Sequence, residues 1–191
     1  IDRDPHVTPF VERLNHDFPE RFHFIEGCFA DLDQLLTDKG IQHVDGIVLD
    51  IGVSSMQLDE AERGFSFRFD APLDMRMSSD GIDAAHIVNN TEEEALANIL
   101  YQFGGEKKSR RIARAIVNAR QKAPITRTKE LAEIIYQAVP RYRDQIDPAT
   151  RSFQALRIVV NGELDQLTAA MYAAERMLAP GGILAAVSYT H

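Results

Sequence analysis

Cysteine is almost absent from the 191-residue sequence, and tryptophan is absent altogether. The single Cys28 excludes an internal disulfide framework. The six histidines have no metal-ligand spacing with one another or with Cys28, so we predict no bound metal. No apolar stretch approaches the roughly 20 residues that span a bilayer, and no signal-peptide pattern is present. These absences predict a soluble, cytoplasmic protein with no membrane partner.

Positive charge is also scarce, since 21 Lys and Arg residues face 29 Asp and Glu residues, giving a net charge of −8. This balance taken alone argues against a polyanionic partner. Residues 107–157 are the exception, with 13 Lys and Arg against 4 Asp and Glu, a local charge of +9. Such clustering favours a nucleic-acid contact surface, because contacts with phosphates release counterions. The alternative is a solvated helical face that acidic neighbours balance.

What is present is enough apolar sequence, 45% of the residues, for one sizeable core or a core with a helical insertion. The sequence begins at Ile1-Asp2-Arg3-Asp4-Pro5 without an initiator methionine, and it stops at His191. Both termini follow predicted strand ends. We therefore expect a piece of a longer protein, with at least one leading strand missing.

The segment from Val44 to Asp50 is a short apolar run that stops at a carboxylate and passes into a loop with Gly52. This pattern is typical of a buried parallel strand that ends in a loop. Ligands of open α/β sheets bind outside the carboxyl ends of the strands, which makes Asp50 and residues 51–57 a candidate site. A plain strand, turn and capping aspartate remain the alternative.

Two more residues are placed at predicted strand ends. Asp4 suits an N-cap and Pro5 a first helical position, so Asp2 is predicted to end a strand, where a carboxylate can bind ribose hydroxyls or serve a local turn. Residues 22–25 are the next predicted strand, and the chain after them could set Phe29 against a flat ligand or in the core.

Helices are predicted on both sides of a central insertion. A helix over 32–38 precedes the Val44 strand, and a helix over 163–179 precedes a strand over 183–187, as in doubly wound α/β folds. Between them, a capping box at Thr91 opens the first of four helices, and the others begin near residues 107, 128 and 150. We predict a first α/β part (1–60), an inserted helical subdomain (61–160) and a second α/β part (161–191).

Two groups of side chains in this insertion suit RNA. Arg63, Phe65 and Phe67 lie in a segment that alternates aromatic and polar residues. Bases stack on such rings, although a hydrophobic hairpin between domains has the same composition. Arg110, Arg111 and Arg114 recur at helical spacings of three and four, along one side of the predicted second helix.

Several segments together resemble the RsmH (MraW) methyltransferases. The matching segments are Ile1-Asp-Arg-Asp-Pro5, Asp50-Ile-Gly-Val-Ser-Ser55 with Gln57-Leu-Asp59, Glu62-Arg-Gly-Phe-Ser-Phe67 with Pro72-Leu-Asp-Met-Arg-Met77, Arg111-Ile-Ala-Arg-Ala-Ile116, Thr126-Arg-Thr-Lys-Glu-Leu131, Pro148-Ala-Thr-Arg-Ser-Phe-Gln-Ala-Leu-Arg157 and Leu178-Ala-Pro-Gly-Gly182. They cover nearly the whole sequence in the family's order. The glycine-rich loop that the family places before the Asp2 strand is absent.

The resemblance implies a Rossmann-like class I methyltransferase sheet with an inserted helical subdomain. It also implies methyl transfer from S-adenosylmethionine to the exocyclic N4 of a cytosine in small-subunit ribosomal RNA (16S rRNA). Asp2 would hold the ribose, Phe29 would line the adenosine site, and Asp50 and Gln57 would face the cofactor. Asp50 is the candidate catalytic residue, because an acceptor can hold and rehybridise a weakly nucleophilic amine.

The family resemblance also implies that the inserted helices bind the ribosomal RNA. A non-catalytic RNA-binding or ribosome-assembly module that keeps a methyltransferase shell is the competing hypothesis. The sequence leaves the oligomeric state open, with a homodimer as one option.

Overall fold

A computed structural model describes residues 1–140 and 146–188. The helices are α1 (Thr8–Asp17), α2 (Leu32–Asp38), α3 (Ser55–Asp59), α4 (Ala84–Asn90), α5 (Glu93–Gln102), α6 (Ser109–Arg120), α7 (Thr128–Ala138), α8 (Pro148–Asn161) and α9 (Glu163–Met177). The strands are β1 (Val44–Ile51) and β2 (Leu178–Ser188). Short 3-10 turns cover Pro5–Val7, Phe29–Asp31 and Ala61–Arg63.

The chain divides into two compact units. The α/β unit consists of Ile1–Gly52, Met77–Ser79 and Glu163–His191, and the helical unit consists of Val53–Arg76 and Asp80–Gly162. Residues 53–60, predicted to belong to the first α/β part, lie in the helical unit.

The α/β unit is built on a parallel pair of strands from distant parts of the chain. β1 pairs with β2 so that Ile47 lies opposite Leu184 and Asp50 opposite Val187, with an irregularity between Val44 and Gly46. Leu49 of β1 joins Leu32 of α2 in a buried cluster, and the α9 side chains of that cluster are Ala170, Ala173, Ala174 and Met177. The small residues of α9 allow close packing, and the arrangement confirms the predicted α/β class.

The predicted strand over residues 22–25 is wrong. The segment makes one isolated parallel bridge, between Asp2 and Glu26, with hydrogen bonds from Asp2 N to Ile25 O (3.2 Å) and from Gly27 N to Asp2 O (3.0 Å). A single bridge gives no run of consecutive ladder pairs, so neither segment forms a strand. The three apolar residues of this segment, Phe22, Phe24 and Ile25, are half-buried, and His23 is exposed.

The helical unit has its own core. Its helices bury side chains spaced by four residues, namely Leu96 and Leu100 of α5, Ile112 and Ile116 of α6, and Leu131 and Ile135 of α7, together with Leu156 of α8. This spacing puts each pair on one helix face, which is why the sequence predicted these helices. The insertion is helical, as predicted.

Several helix boundaries differ from the prediction, since α6 begins at Ser109 rather than near residue 107 and α9 ends at Met177 rather than at residue 179. Thr91 does not open a capping box, because its N–H bonds to Ile87 O (3.1 Å) and it ends α4, a helix that the sequence did not predict. Glu92 is the N-cap of α5 and makes no side-chain capping bond. α8 begins at Pro148 rather than near residue 150, because the Asp147 carboxylate accepts a hydrogen bond from Ala149 N at 2.8 Å.

The segment before α4 is held against the start of α7. The Thr128 hydroxyl accepts a hydrogen bond from Ala71 N (3.0 Å) and donates one to Phe69 O (2.7 Å). Leu73 N also donates to Thr126 O at 2.9 Å. These bonds fix the aromatic segment inside the helical unit. Among the residues described, no helix combines the length and the apolar character that crossing a membrane requires.

Candidate functional site

Asp50 lies near the carboxyl end of β1 and is exposed. Its side chain makes no hydrogen bond or ion pair within the described part of the chain, so both carboxylate oxygens are open to a ligand. Gly52 follows with a φ of 120°, and a Cβ added there would meet no atom within 4 Å. The strand end therefore has an acceptor group beside open space.

Asp2, the other predicted cofactor-binding carboxylate of the α/β unit, is also exposed. Its Oδ1 accepts a hydrogen bond from Asp4 N at 2.8 Å, so the local turn role is present. Asp4 is only 3% exposed and caps the following 3-10 turn by accepting from His6 N at 3.0 Å. The turn thereby fixes the Asp2 backbone, while the second oxygen of the Asp2 carboxylate forms no hydrogen bond among the described residues.

Phe29 begins the second 3-10 turn and is half-buried. Its ring packs against the buried cluster of Leu32, Leu49 and α9, which is the core role that the sequence left open. Contact of the remaining ring surface with a ligand stays a prediction.

These side chains fit the chemistry of a cofactor that carries ribose hydroxyls and a positive charge. Hydroxyls donate hydrogen bonds, and both Asp2 and Asp50 present exposed acceptors. The part of the chain that the structure describes holds no group of three or more His, Cys, Asp or Glu side chains arranged to bind a metal ion.

Gln57 belongs to the helical unit, where it caps α3. Its Oε1 accepts from Ser54 N (3.1 Å), and its own N–H donates to Ser54 Oγ (3.2 Å), which completes a capping box. Gln57 is 6% exposed, so its observed contacts are structural. Its predicted role beside the cofactor stays a prediction.

The aromatic segment is largely committed to packing. Phe65 is 7% exposed, and the Arg63 guanidinium lies 5.6 Å from the centre of its ring. Arg63 also donates to Arg76 O at 3.1 Å and pairs with Glu60 at 3.6 Å. The half-buried Phe67 ring meets Phe153 edge-on at 5.1 Å. These contacts match the hydrophobic alternative, and RNA stacking here stays a prediction.

The basic residues of α6 differ in what they contact. Arg114 pairs with Glu93 of α5, with Nε 3.4 Å from the carboxylate oxygen. Arg110 and Arg111 are exposed, and within the described residues their side chains have no ion-pair partner. Arg141 and Arg143, which contribute to the basic segment, lie outside the described residues. The available positive charge of this helix is therefore concentrated at its start.

An open depression of about 590 Å³ lies where the end of α5 meets the start of α6. It is lined by Asn98, Tyr101 and Gln102 of α5 and by Lys107, Lys108, Arg110 and Arg111. None of the α5 residues was predicted from the sequence to belong to a site. Their spacing of three and four places them on one exposed helix face. This spacing is the sequence pattern from which they could have been identified.

The turn before α4 carries a strongly bonded carboxylate. Asp74 accepts hydrogen bonds from Arg76 N (2.9 Å), Nε (2.8 Å) and Nη2 (2.7 Å). Burial raises the pKa of the Asp74 carboxyl, but the bonds and charge of Arg76 outweigh this effect and hold the pKa below its ordinary value of 3.8. The neighbouring Met75 is fully buried with a positive φ of 66°.

We expect Asp74→Asn to lower the free energy of unfolding by about 1.5–3 kcal/mol at pH 7, the usual worth of hydrogen bonds to charged groups. The folded state favours the ionised carboxylate, so this stabilisation is present above pH 3.8 and is lost as the pH falls through the lower folded-state pKa. Urea unfolding of both proteins between pH 7 and pH 2 measures the difference. Asp59→Asn, at an exposed position of α3, is the control. A difference that stays constant down to pH 2 would contradict the assignment.

Comparison with known proteins gives one consistent result. The family model described as the MraW methylase family matches residues 1–191. A protein of Paramagnetospirillum magneticum, named ribosomal RNA small subunit methyltransferase H, is 56% identical over 99% of this chain and 59% of its own length. Proteins of the same name from Rhodospirillum rubrum and Ehrlichia ruminantium are 54% and 52% identical, and the matches cover 58% and 64% of those proteins. The chain thus spans about three fifths of the length of these relatives.

Proposed function

Because the chain belongs to the MraW methylase family, we propose that a full-length protein containing it methylates ribosomal RNA of the small subunit. The observation that carries this proposal is the 52–56% identity, over 99% of the chain, to proteins named ribosomal RNA small subunit methyltransferase H. Arg110 and Arg111 support an RNA substrate, because their exposed charges have no protein partner among the described residues.

The finer proposal is that the acceptor is the exocyclic N4 of a cytosine and that the donor is S-adenosylmethionine, which supplies an electrophilic methyl group. The N4 amine carries two N–H donors, and its lone pair is delocalised into the ring. Asp50 would accept a hydrogen bond from this amine and hold its nitrogen in line for attack. The exposure of Asp50 at a strand end supports this role.

Asp2 and Phe29 would serve the donor. The Asp2 carboxylate would accept hydrogen bonds from ribose hydroxyls, and the half-buried Phe29 would offer ring surface to the adenine. A base must leave its stack to reach a strand-end pocket, so the proposal requires a flipped or single-stranded cytosine.

The test is transfer of labelled methyl from S-adenosylmethionine to small ribosomal subunits from cells that lack this modification. We expect the full-length protein to place label on the RNA and N4-methylcytidine to appear when the RNA is digested to nucleosides. Label on another base or on ribose would overturn the N4 proposal. RNA binding without any methyl transfer would favour a non-catalytic assembly module.

A second prediction concerns the charge of α6. We expect Arg111→Gln to weaken RNA binding and to lower the slope of log Kd against log salt by about 0.7–0.9, the value for one lost phosphate contact. Arg13→Gln is the matched control, since Arg13 is an exposed arginine on α1 of the α/β unit. Fluorescence anisotropy over a salt series gives both slopes. An unchanged slope for Arg111→Gln would show that this arginine does not contact phosphate.

A further inference from the structure

The depression between α5 and α6 combines an aromatic ring with unpaired positive charge. Tyr101 is 60% exposed, although large aromatic side chains bury favourable surface when they can. The ring lines the same depression as Lys107, Lys108, Arg110 and Arg111. Among the described residues, the lining side chains include four cations and no carboxylate, so the depression selects an anionic ligand.

The four cations are available to that ligand. Within residues 1–140 and 146–188, none of their side chains forms an ion pair or a hydrogen bond. Other arginines of the same unit are held by the protein: Arg120 donates to Val88 O (2.8 Å) and Thr91 O (2.7 Å), and Arg127 pairs with Asp70 at 3.1 Å. The four lining cations therefore have no intramolecular partner in the described part of the chain and are available to bind a ligand.

The polar side chains of the lining can form hydrogen bonds with the edge of a base. Asn98 and Gln102 flank Tyr101 on one face of α5, and each amide offers both donors and acceptors. A volume of about 590 Å³ falls within the range of about 300–1,000 Å³ typical of pockets for small organic ligands. The depression therefore has room for a base with its sugar.

We propose that this depression binds a nucleotide of a single-stranded RNA segment, with the base stacked on Tyr101 and the phosphates held by Lys107, Lys108, Arg110 and Arg111. A duplex keeps its bases stacked on one another, so its phosphates can reach the cations but its base faces cannot stack on the exposed ring. A single strand can use the ring and the cations together, and stacking tolerates any base. The inference rests on the proposed function in taking RNA as the substrate, and it assigns to that RNA an unpaired segment.

The test compares Tyr101→Ala with Tyr101→Phe in the full-length protein. The probe is a fluorescein-labelled RNA decamer of mixed sequence, used as a single strand and annealed to its complement. We expect Tyr101→Ala to weaken single-strand binding roughly 5- to 100-fold and to change duplex binding by less than about two-fold, since only the single strand offers a base for stacking. Tyr101→Phe keeps the ring and should bind both probes within about two-fold of wild type.

Lys107→Gln is an independent test of the cations. It should weaken the binding of both probes and lower the salt slope of each. Equal thermal unfolding midpoints for wild type and Tyr101→Ala show that the exposed substitution leaves the fold intact. The inference would be overturned if Tyr101→Ala weakened the binding of both probes equally or left the binding of both unchanged.

The two proposals fail separately. Methyl transfer to RNA by wild type, together with unchanged single-strand binding in Tyr101→Ala, would remove the nucleotide site and keep the enzyme. Selective loss of single-strand binding in a protein that transfers no methyl would keep the nucleotide site and remove the activity.

Discussion

Asp50→Ala is expected to lower methyl transfer by the full-length protein roughly 100- to 10,000-fold, the usual contribution of a positioned acid or base group. The carboxylate is exposed at the end of β1 and has no partner among the described residues, so its removal breaks no described contact. The loss should appear in kcat, because the group would act on the reacting amine rather than on the bulk of the RNA. Transfer of labelled methyl under saturating cofactor and RNA measures it.

Asp45→Ala is the matched control, because Asp45 is an exposed aspartate near the other end of the same strand. We expect it to retain activity within about two-fold. Both variants should unfold at the wild-type urea concentration. Wild-type turnover by Asp50→Ala would exclude Asp50 from the reaction, and equal losses in both variants would point to the strand rather than to the carboxylate.

Gly64→Ala is expected to have the largest effect on stability, a loss of roughly 3–5 kcal/mol from the free energy of unfolding. Gly64 is buried with a φ of 71°, and a Cβ there would collide with Pro72 O and lie 2.8 Å from Asp74 N. Both of these atoms belong to the backbone, which cannot yield as a flexible side chain does. Strain in the left-handed region adds to the steric cost.

Gly81→Ala separates these two contributions. Gly81 has a φ of 92°, but a Cβ there would meet no atom within 4 Å. Only the backbone strain applies, so we expect a loss of about 1–2 kcal/mol. Urea unfolding followed by circular dichroism measures both variants. Equal losses would show that the contact with the 72–74 backbone does not limit position 64.

Local patterns explain what the sequence could predict. Apolar residues four apart place α5, α6 and α7, and the apolar run into Asp50 places β1 and its carboxylate. These signals depend on neighbours within one or two turns of chain. Two predictions from local patterns were wrong. Thr91 ends one helix instead of opening the next, and the segment over residues 22–25 leads into an isolated bridge at Glu26 instead of forming a strand.

The predicted site residues also divide into those that local sequence patterns explain and those that only the packing explains. The position of Asp50 at a strand end follows from the apolar run before it, and the basic face of α6 follows from periodicity. The burial of Phe65 and the capping role of Gln57 follow from neither. An alternating aromatic segment has the same composition whether its rings face solvent or a core. Phe67 is directed to Phe153 by packing across 86 residues of chain, which composition does not encode.

The sequence by itself determined the α/β class, the helical insertion, the carboxylate at the end of β1 and the net positive charge of residues 107–157. Only the tertiary structure decided which positive charges are free, because Glu93 neutralises Arg114 from another helix while Arg110 and Arg111 face the depression with Tyr101. Periodicity specifies the buried face of each helix. The partner that each exposed side chain meets depends on how the helices pack, and that packing joins residues far apart in the chain.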